Sequence, residues 1–470
     1  MTRITYMQTH LRNPLKIVEK DDHRVTSARF LLIFIQLPLK YRLALKILRS
    51  LVIFQCLFVL SRTASAADQA EMGSLKDKFI VGYQGWFACP GDNDGRGWVH
   101  WSSGTTPTVD MLPDVSELPP HERCRTDLTA ADGSAIDVFS SRNPATVARH
   151  FAWMKLYGID GVALQRFSGM LHQPQQIAIV NQVLANVRQA AEASGRGFLV
   201  MYDASGLRRA DIPLILQDWQ RIEEAGYTRS RAWIGHKGHP VLGIWGLGFT
   251  SAPLTPDDAK LLLAGIARIS APYGGITILG GVPSGWRTGT GDAKSDPSWQ
   301  TIWPMLGVIS PWTVGRYADD AGADAYLRTN LTIDLETSRR MGIDYMPVVF
   351  PGFSWGNLMH ANHNDARAKF NQIPRRCGRF YWHQLSNALS AGATMLYGAM
   401  FDEVDEGTAL FKLVTGASRA PARTPEPGHN FVTLDADGCR LPSDWYLRLT
   451  SAAGAALHTH TPLPPTLPQP

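Results

Sequence analysis

The stretch 394-TMLYGAMFDEVDEGT-408 begins apolar and ends acidic. The run 394-TMLYGAM-400 carries no charge and is too short for a stable helix, so it reads as a buried strand. Four carboxylates follow within five residues, Asp402, Glu403, Asp405 and Glu406, and Gly407 and Thr408 close the group. The same kind of apolar run recurs upstream at 79-FIVGYQGW-86, 160-DGVALQRF-167, 197-GFLVMYD-203, 239-HPVLGIWG-246, 275-GITILGG-281, 308-VISPWTVG-315 and 344-DYMPVVF-350. Residues 394–401 are therefore the eighth and last of a series.

Helix-patterned segments lie between most of these runs. 145-ATVARHFAWMKLYG-158 follows Asn143-Pro144, and proline is tolerated at a helix start. 174-PQQIAIVNQVLANVRQAAEASG-195 ends on a glycine stop, and 255-TPDDAKLLLAGIARI-269 opens with a threonine cap and two early acids. 376-RCGRFYWHQLSNALSAGA-393 leads into the last strand. Eight strand–helix units predict an α/β fold, a (β/α)8 TIM barrel with a long insertion after the first strand. A doubly wound open sheet uses the same alternation. Its glycine-rich phosphate turn is missing from 82-GYQGWFACPG-91, and the count of eight favours the barrel. Residues 88–144 form the insertion, which reads as an ordered lid or cleft wall.

The net charge of +5 is unevenly spread. Residues 1–66 hold eleven Lys/Arg against three Asp/Glu, whereas 67–470 hold 35 against 38. A body with slightly more acid than base offers no nucleic-acid footprint. Residues 1–66 read as a basic leader with an export signal: Lys40 to Arg49, the apolar 51-LVIFQCLFVL-60, then 64-ASA-66 as cleavage site. An uncleaved anchor is the alternative, although Arg49 and Arg62 bracket too few residues to span a bilayer. Cleavage predicts an exported protein, periplasmic or secreted, without stable membrane association. It leaves Cys89, Cys124, Cys377 and Cys439, an even count with three possible pairings. Pairing of sequence neighbours, Cys89–Cys124 and Cys377–Cys439, is the one expected, with four free thiols as the alternative. The barrel is expected over 67–455, followed by a Pro/Thr-rich disordered tail over 456–470.

Reactive residues of such barrels sit at the C-terminal ends of strands, where Asp402 to Glu406 fall. Crowded carboxylates in a cleft push one another's pKa values apart, so that one stays ionised while another keeps its proton. Glycoside hydrolysis needs that division of labour. A solvated acidic loop, or acids capping a following helix, is the plain alternative. Aromatics at strand ends favour a sugar-stacking cleft: Tyr83, Trp86, Phe167, Tyr202, Trp245, Trp286, Trp312, Tyr317, Phe353, Trp355 and Phe401.

The motif 402-DEVDEGT-408 resembles the Asn-Glu-Trp-His-Glu-Gly-Thr motif of glycoside hydrolase family 99, the endo-α-mannosidases. It is also similar to the Asp-x-x-Glu arrangement of family 71, the α-1,3-glucanases, and most similar to bacterial proteins described as family 71/99-like. The blocks 81-VGYQGWF-87, 98-WVHW-101, 201-MYDASG-206, 311-PWTVGRY-317, 351-PGFSWGN-357 and 379-RFYWHQ-384 carry the same resemblance over about residues 78–450. It implies that Glu403 acts as base on the substrate's own 2-hydroxyl, giving a 1,2-anhydro sugar and net retention. It implies that Glu406 is the general acid/base, and that Tyr83, His100 and Trp101 line the cleft. Asp402, Val404 and Asp405 replace the motif's Asn, Trp and His, so the reaction class carries over further than the choice of sugar.

Trp86, Asp203, Trp245, Arg316, Tyr317, Trp355, Asp402 and Asp405 complete the candidate substrate-binding set. Asp203 ends the third strand, placed to bond a sugar hydroxyl or to cap its own loop. Arg316 either pairs with one of the acids or positions hydroxyls. The loops 92-DNDG-95 and 435-DADG-438 lack the closing glutamate of a calcium loop, and 360-HANH-363 lacks a third ligand. No metal and no cofactor is expected. The partner is a polysaccharide or oligosaccharide. The expected enzyme cleaves α-linked glycans containing mannose or glucose. A non-catalytic glycan-binding protein on the same barrel is the competing reading, and a metal-dependent hydrolase a second.

Overall fold

The computed structural model describes residues 72–104, 106–421, 430–464 and 466–470. The leader lies outside the described residues. Eight parallel strands form a ring: β1 (Lys78–Tyr83), β2 (Gly161–Phe167), β3 (Gly197–Asp203), β4 (His239–Trp245), β5 (Thr277–Val282), β6 (Val308–Pro311), β7 (Asp344–Tyr345 and Val348–Val349) and β8 (Met395–Gly398). Each pairs with the next in chain order. The first half of β7 pairs with β6, its second half with β8, and β8 pairs with β1. The ring is closed, as a (β/α)8 barrel requires, and an open sheet is excluded. Pro347 explains the split of β7, since it has no N–H to donate to a ladder. Its carbonyl still accepts from Tyr397 N at 3.0 Å.

Several strands end earlier than the apolar runs that announce them. β1 stops at Tyr83, β6 at Pro311 and β8 at Gly398, and the chain beyond each leaves the sheet. Runs 79–86, 308–315 and 394–401 therefore join a strand to a rim loop that is itself apolar. The barrel interior under this rim is filled by side chains. A Cβ added at Gly82 would meet Met400 Cε at 2.1 Å, so only glycine fits there.

The four helices read from sequence are present: α1 (Pro144–Leu156), α2 (Pro174–Ser194), α4 (Pro256–Ser270) and α7 (Arg379–Ser390). Asn143 caps α1 by accepting from Ala145 N at 3.0 Å, and Thr255 with Asp258 forms a capping box on α4. Further helices are α3 (Ile212–Glu224), α5 (Asp320–Tyr326, running through Leu327–Leu331 into Thr332–Arg340), α6 (Gly356–Ala361) and α8 (Trp445–Thr459). Between β5 and β6 only short 3₁₀ turns appear, and buried Trp286, Trp299 and Trp303 pack on one another there.

The insertion after β1 is ordered. It carries an antiparallel hairpin, Arg123–Thr129 with Ala135–Phe139, tied to the start of the insertion by the Cys89–Cys124 disulfide. Cys377–Cys439 is the second bridge, so sequence neighbours pair. Disulfides persist in oxidising, extracellular-type compartments. The boundary expected at 455/456 falls inside α8, where Ala456 and Leu457 are buried, and the Pro464 carbonyl accepts from Trp382 Nε1 at 3.1 Å. Among the described residues no helix is long and apolar enough to cross a membrane.

Candidate active site

The chain reverses directly after β8. The Glu403 carbonyl accepts from Thr408 N and Ala409 N, both at 3.0 Å, and Met400 O accepts from Leu410 N at 3.0 Å. Gly407 makes this possible: its φ is +65° and an added Cβ would meet Ser354 N at 2.8 Å. Neighbouring loops grip the turn. Arg375 Nη2 donates to the Gly407 and Ala409 carbonyls at 2.8 Å each. Ser354 N donates to Glu406 O at 2.9 Å, and Asp110 N and Met111 N of the insertion donate to Val404 O at 3.2 Å. The acids thus sit on a rigid reversal at the C-terminal rim.

Each acid has its own surroundings. Asp402 is fully buried and accepts from the backbone, Gln84 N at 2.8 Å on Oδ1 and Gly85 N at 3.0 Å on Oδ2. Burial outweighs these donors and lifts it to about 7. Glu403 Oε2 accepts from Thr408 Oγ1 at 2.6 Å and Oε1 accepts from Gln84 Nε2. Burial, then the negative charges of Glu406 and Asp405, raise it well above the usual carboxylate range. Asp405 Oδ2 meets His100 Nδ1 at 2.9 Å. The His100 ring stacks on Trp86 with centroids 3.8 Å apart. Glu406 is half-buried, and burial followed by Asp405 lifts it to about 7.

Glu403 and Glu406 open on one cleft of about 270 Å³. Trp86, Phe167, Trp245 and Trp312 give it aromatic walls; Gln84, Gln165, Asp203, Tyr397 and Met400 complete it. Burial lifts Asp203, which also accepts from Ser205 N at 2.7 Å, so it caps its loop while facing the cleft. Of the candidate residues, Trp86, Asp203, Trp245, Glu403 and Glu406 line the cleft. Asp402 and Asp405 stand behind them, holding backbone and ring in place, and His100 lines an adjoining cavity that shares Gln84, Trp86, Gln165 and Phe167.

The other candidates lie elsewhere. Tyr83 is fully buried and bonds His150 Nδ1 at 2.9 Å, because alternation along β1 turns it away from the face of Gly82 and Gln84. Trp101 is buried in the insertion and donates to Phe139 O at 2.9 Å. Arg316 pairs with Asp292 at 2.7 Å rather than with any of the four acids. Tyr317 packs against Phe350 and Phe380 and donates to Gln384 Oε1 at 3.1 Å. Trp355 packs on Phe353 beneath Arg367, away from the cleft. Sequence reasoning passes over Gln84, Gln165, Tyr397 and Met400. Gln84 carried a signal, being a lone amide inside the apolar run 79-FIVGYQGW-86, whereas Gln165 sits beside Arg166 in its run.

Among the described residues no three His, Cys, Asp or Glu side chains are grouped to hold a metal ion. His360 Nδ1 meets Asp365 at 2.6 Å. Asp92 and Asp435 serve local turns, accepting from Cys89 N at 2.9 Å and from Thr433 Oγ1 at 2.5 Å, and Asp92 also accepts from Ser140 Oγ at 2.7 Å.

No protein-family model matches the chain, and no curated protein matches it. Solved structures do. Two structures of the glycoside hydrolase family 99 endo-α-mannosidase from Bacteroides thetaiotaomicron, one in complex with bis-tris-propane, are similar to it with a TM-score of 0.58. Identity is 16% over 82% of this chain and 98% or 99% of theirs. At that identity the likeness establishes the architecture: this chain shares the barrel of those proteins along almost their whole length.

Proposed function

We propose that the protein is an exported glycoside hydrolase acting on α-linked glycans that contain mannose or glucose. The observation that carries this reading is that Glu403 and Glu406, both shifted toward holding a proton, open on one aromatic-walled cleft at the barrel's C-terminal rim. Glu406, half-buried and poised at about 7, protonates the leaving oxygen and then activates water. Glu403, with donors on both oxygens, acts as base on the neighbouring hydroxyl, giving retention. The resemblance of 402-DEVDEGT-408 to the family 99 motif and the shared barrel of the endo-α-mannosidases support these roles. The two disulfides support export.

The test is reducing-end release from a panel of α-mannans and α-glucans by wild type, Glu403→Gln and Glu406→Gln, with anomeric configuration followed by proton NMR. Hydrolysis by wild type with retention, lost in both variants, is the expected outcome. Binding of a glycan without turnover by any of the three would favour the non-catalytic binder.

A further inference from the structure

Three buried polar atoms on the cleft wall have no hydrogen-bond partner among the described residues: Gln84 Oε1, Trp86 Nε1 and Trp245 Nε1. Buried polar groups of native proteins are almost always paired, so unpaired atoms on three residues that line one cleft mark places where ligand atoms would complete them. One acceptor and two donors suit a hydroxyl-bearing ligand, since a hydroxyl both donates and accepts.

Gln84 differs from the two indoles because its amide has two ends. Nε2 donates to Glu403 Oε1, while Oε1 is left unpaired. Its root is fixed as well: Asp402, on the loop that carries Glu403, accepts from Gln84 N at 2.8 Å and from Gly85 N at 3.0 Å. The residue is only 8% exposed, so neighbours pack around it. An N–H donor to a carboxylate favours its charged form. A hydroxyl donating to the amide oxygen polarises the amide and strengthens the N–H at its other end.

Resting on the glycosidase reading, we propose that Gln84 is a positioning residue that takes one sugar hydroxyl on Oε1 and, through Nε2, holds Glu403 oriented and favours its charged form when it acts as the base. It couples arrival of the correct sugar to readiness of the carboxylate. The groups that Gln84 works against are acidic: Asp402, Asp405 and Glu406 on the same loop, the Tyr397 hydroxyl of β8, and Asp203 across the cleft. His100 is paired with Asp405. Gln84 brings a donor without a charge of its own.

The experiment has two arms, both on the intact protein. In the first, glutamate carboxyls are labelled with carbon-13 and titrated by NMR in wild type and Gln84→Met, the Glu403 signal being assigned with Glu403→Gln. Loss of the donor is expected to raise the Glu403 midpoint by about one pH unit while circular dichroism stays unchanged. An unmoved midpoint in a folded Gln84→Met protein would overturn the proposal, and this arm needs no substrate. In the second, binding of methyl α-mannoside, methyl α-glucoside and their monodeoxy analogues is measured by calorimetry in Glu406→Gln and in the double variant Gln84→Met/Glu406→Gln. One deoxy position is expected to cost about tenfold in the first protein and nothing in the second. Equal losses in both at every position would overturn the hydroxyl contact. Absence of any sugar binding would overturn that contact together with the glycosidase reading, while the titration would still decide the hold on Glu403.

Discussion

Two clusters of buried charge sit in the same barrel and are treated in opposite ways. Between β2, β3, α2 and α3, Arg166 faces Asp218 through two hydrogen bonds, at 2.5 and 2.6 Å. Tyr202 Oη donates to Asp218 at 2.6 Å and Arg166 also donates to Asn181 at 2.7 Å. Plus and minus are matched there and the donors are used. At the rim, Asp402, Glu403, Asp405 and Glu406 share one reversal of the chain, and their ion-pair partner among the described residues is His100, at Asp405. The matched cluster is scaffold. The unmatched one opens on a cleft, and burial there lifts Asp402 and Glu406 to about 7 and raises Glu403 well above the usual carboxylate range. Unbalanced burial of like charge destabilises a fold, and such arrangements concentrate where proton transfer is the task.

The largest expected effect breaks the rim cluster. Glu406→Gln should lose roughly 10³-fold in turnover, the usual weight of a general acid, with the melting temperature at pH 4 unchanged. The next falls on the matched cluster. Arg166→Met leaves Asp218 buried and unpaired and should cost about 3–5 kcal/mol in urea unfolding, while the folded fraction keeps its turnover. If Arg166→Met removed turnover from fully folded protein, the division into scaffold and site would fail.

The third effect is smaller and concerns pH. Asp402 and Glu406 hold protons up to about 7 in the folded chain, whereas the unfolded chain releases them near ordinary carboxylate values. Between those limits the folded state binds more protons, so stability falls as pH rises from about 4 to 7 and then levels. Glu406→Gln removes part of that loss. Its melting temperature should exceed that of wild type by a few degrees at pH 8 and match it at pH 4, as scanning calorimetry would read.

The barrel was legible because eight short apolar runs alternate with capped helices, and both patterns come from local burial. α5 was hidden because its turns bury little apolar surface, with Asp334 and Ser338 on its inner face. Glu403 and Glu406 were legible because four acids in five residues make no sense on a structural turn. Arg316 and Tyr317 were misplaced because β6 ends at Pro311, and nothing in the sequence tells where a loop turns after its strand. Tyr83 ends β1, Gln84 follows it directly, and the two side chains part ways through alternation alone. A phenol drew attention that the amide beside it merited.

The central claim is that Glu403 and Glu406 divide a proton between them to cleave a glycosidic bond. The most direct measurement is the pH dependence of kcat/KM on the best α-glycan of the panel, from pH 4 to 9. The account predicts a bell whose basic limb lies near 7, from Glu406, and is abolished in Glu406→Gln. A flat profile through neutrality, or a Glu406→Gln protein as fast as wild type, would contradict it.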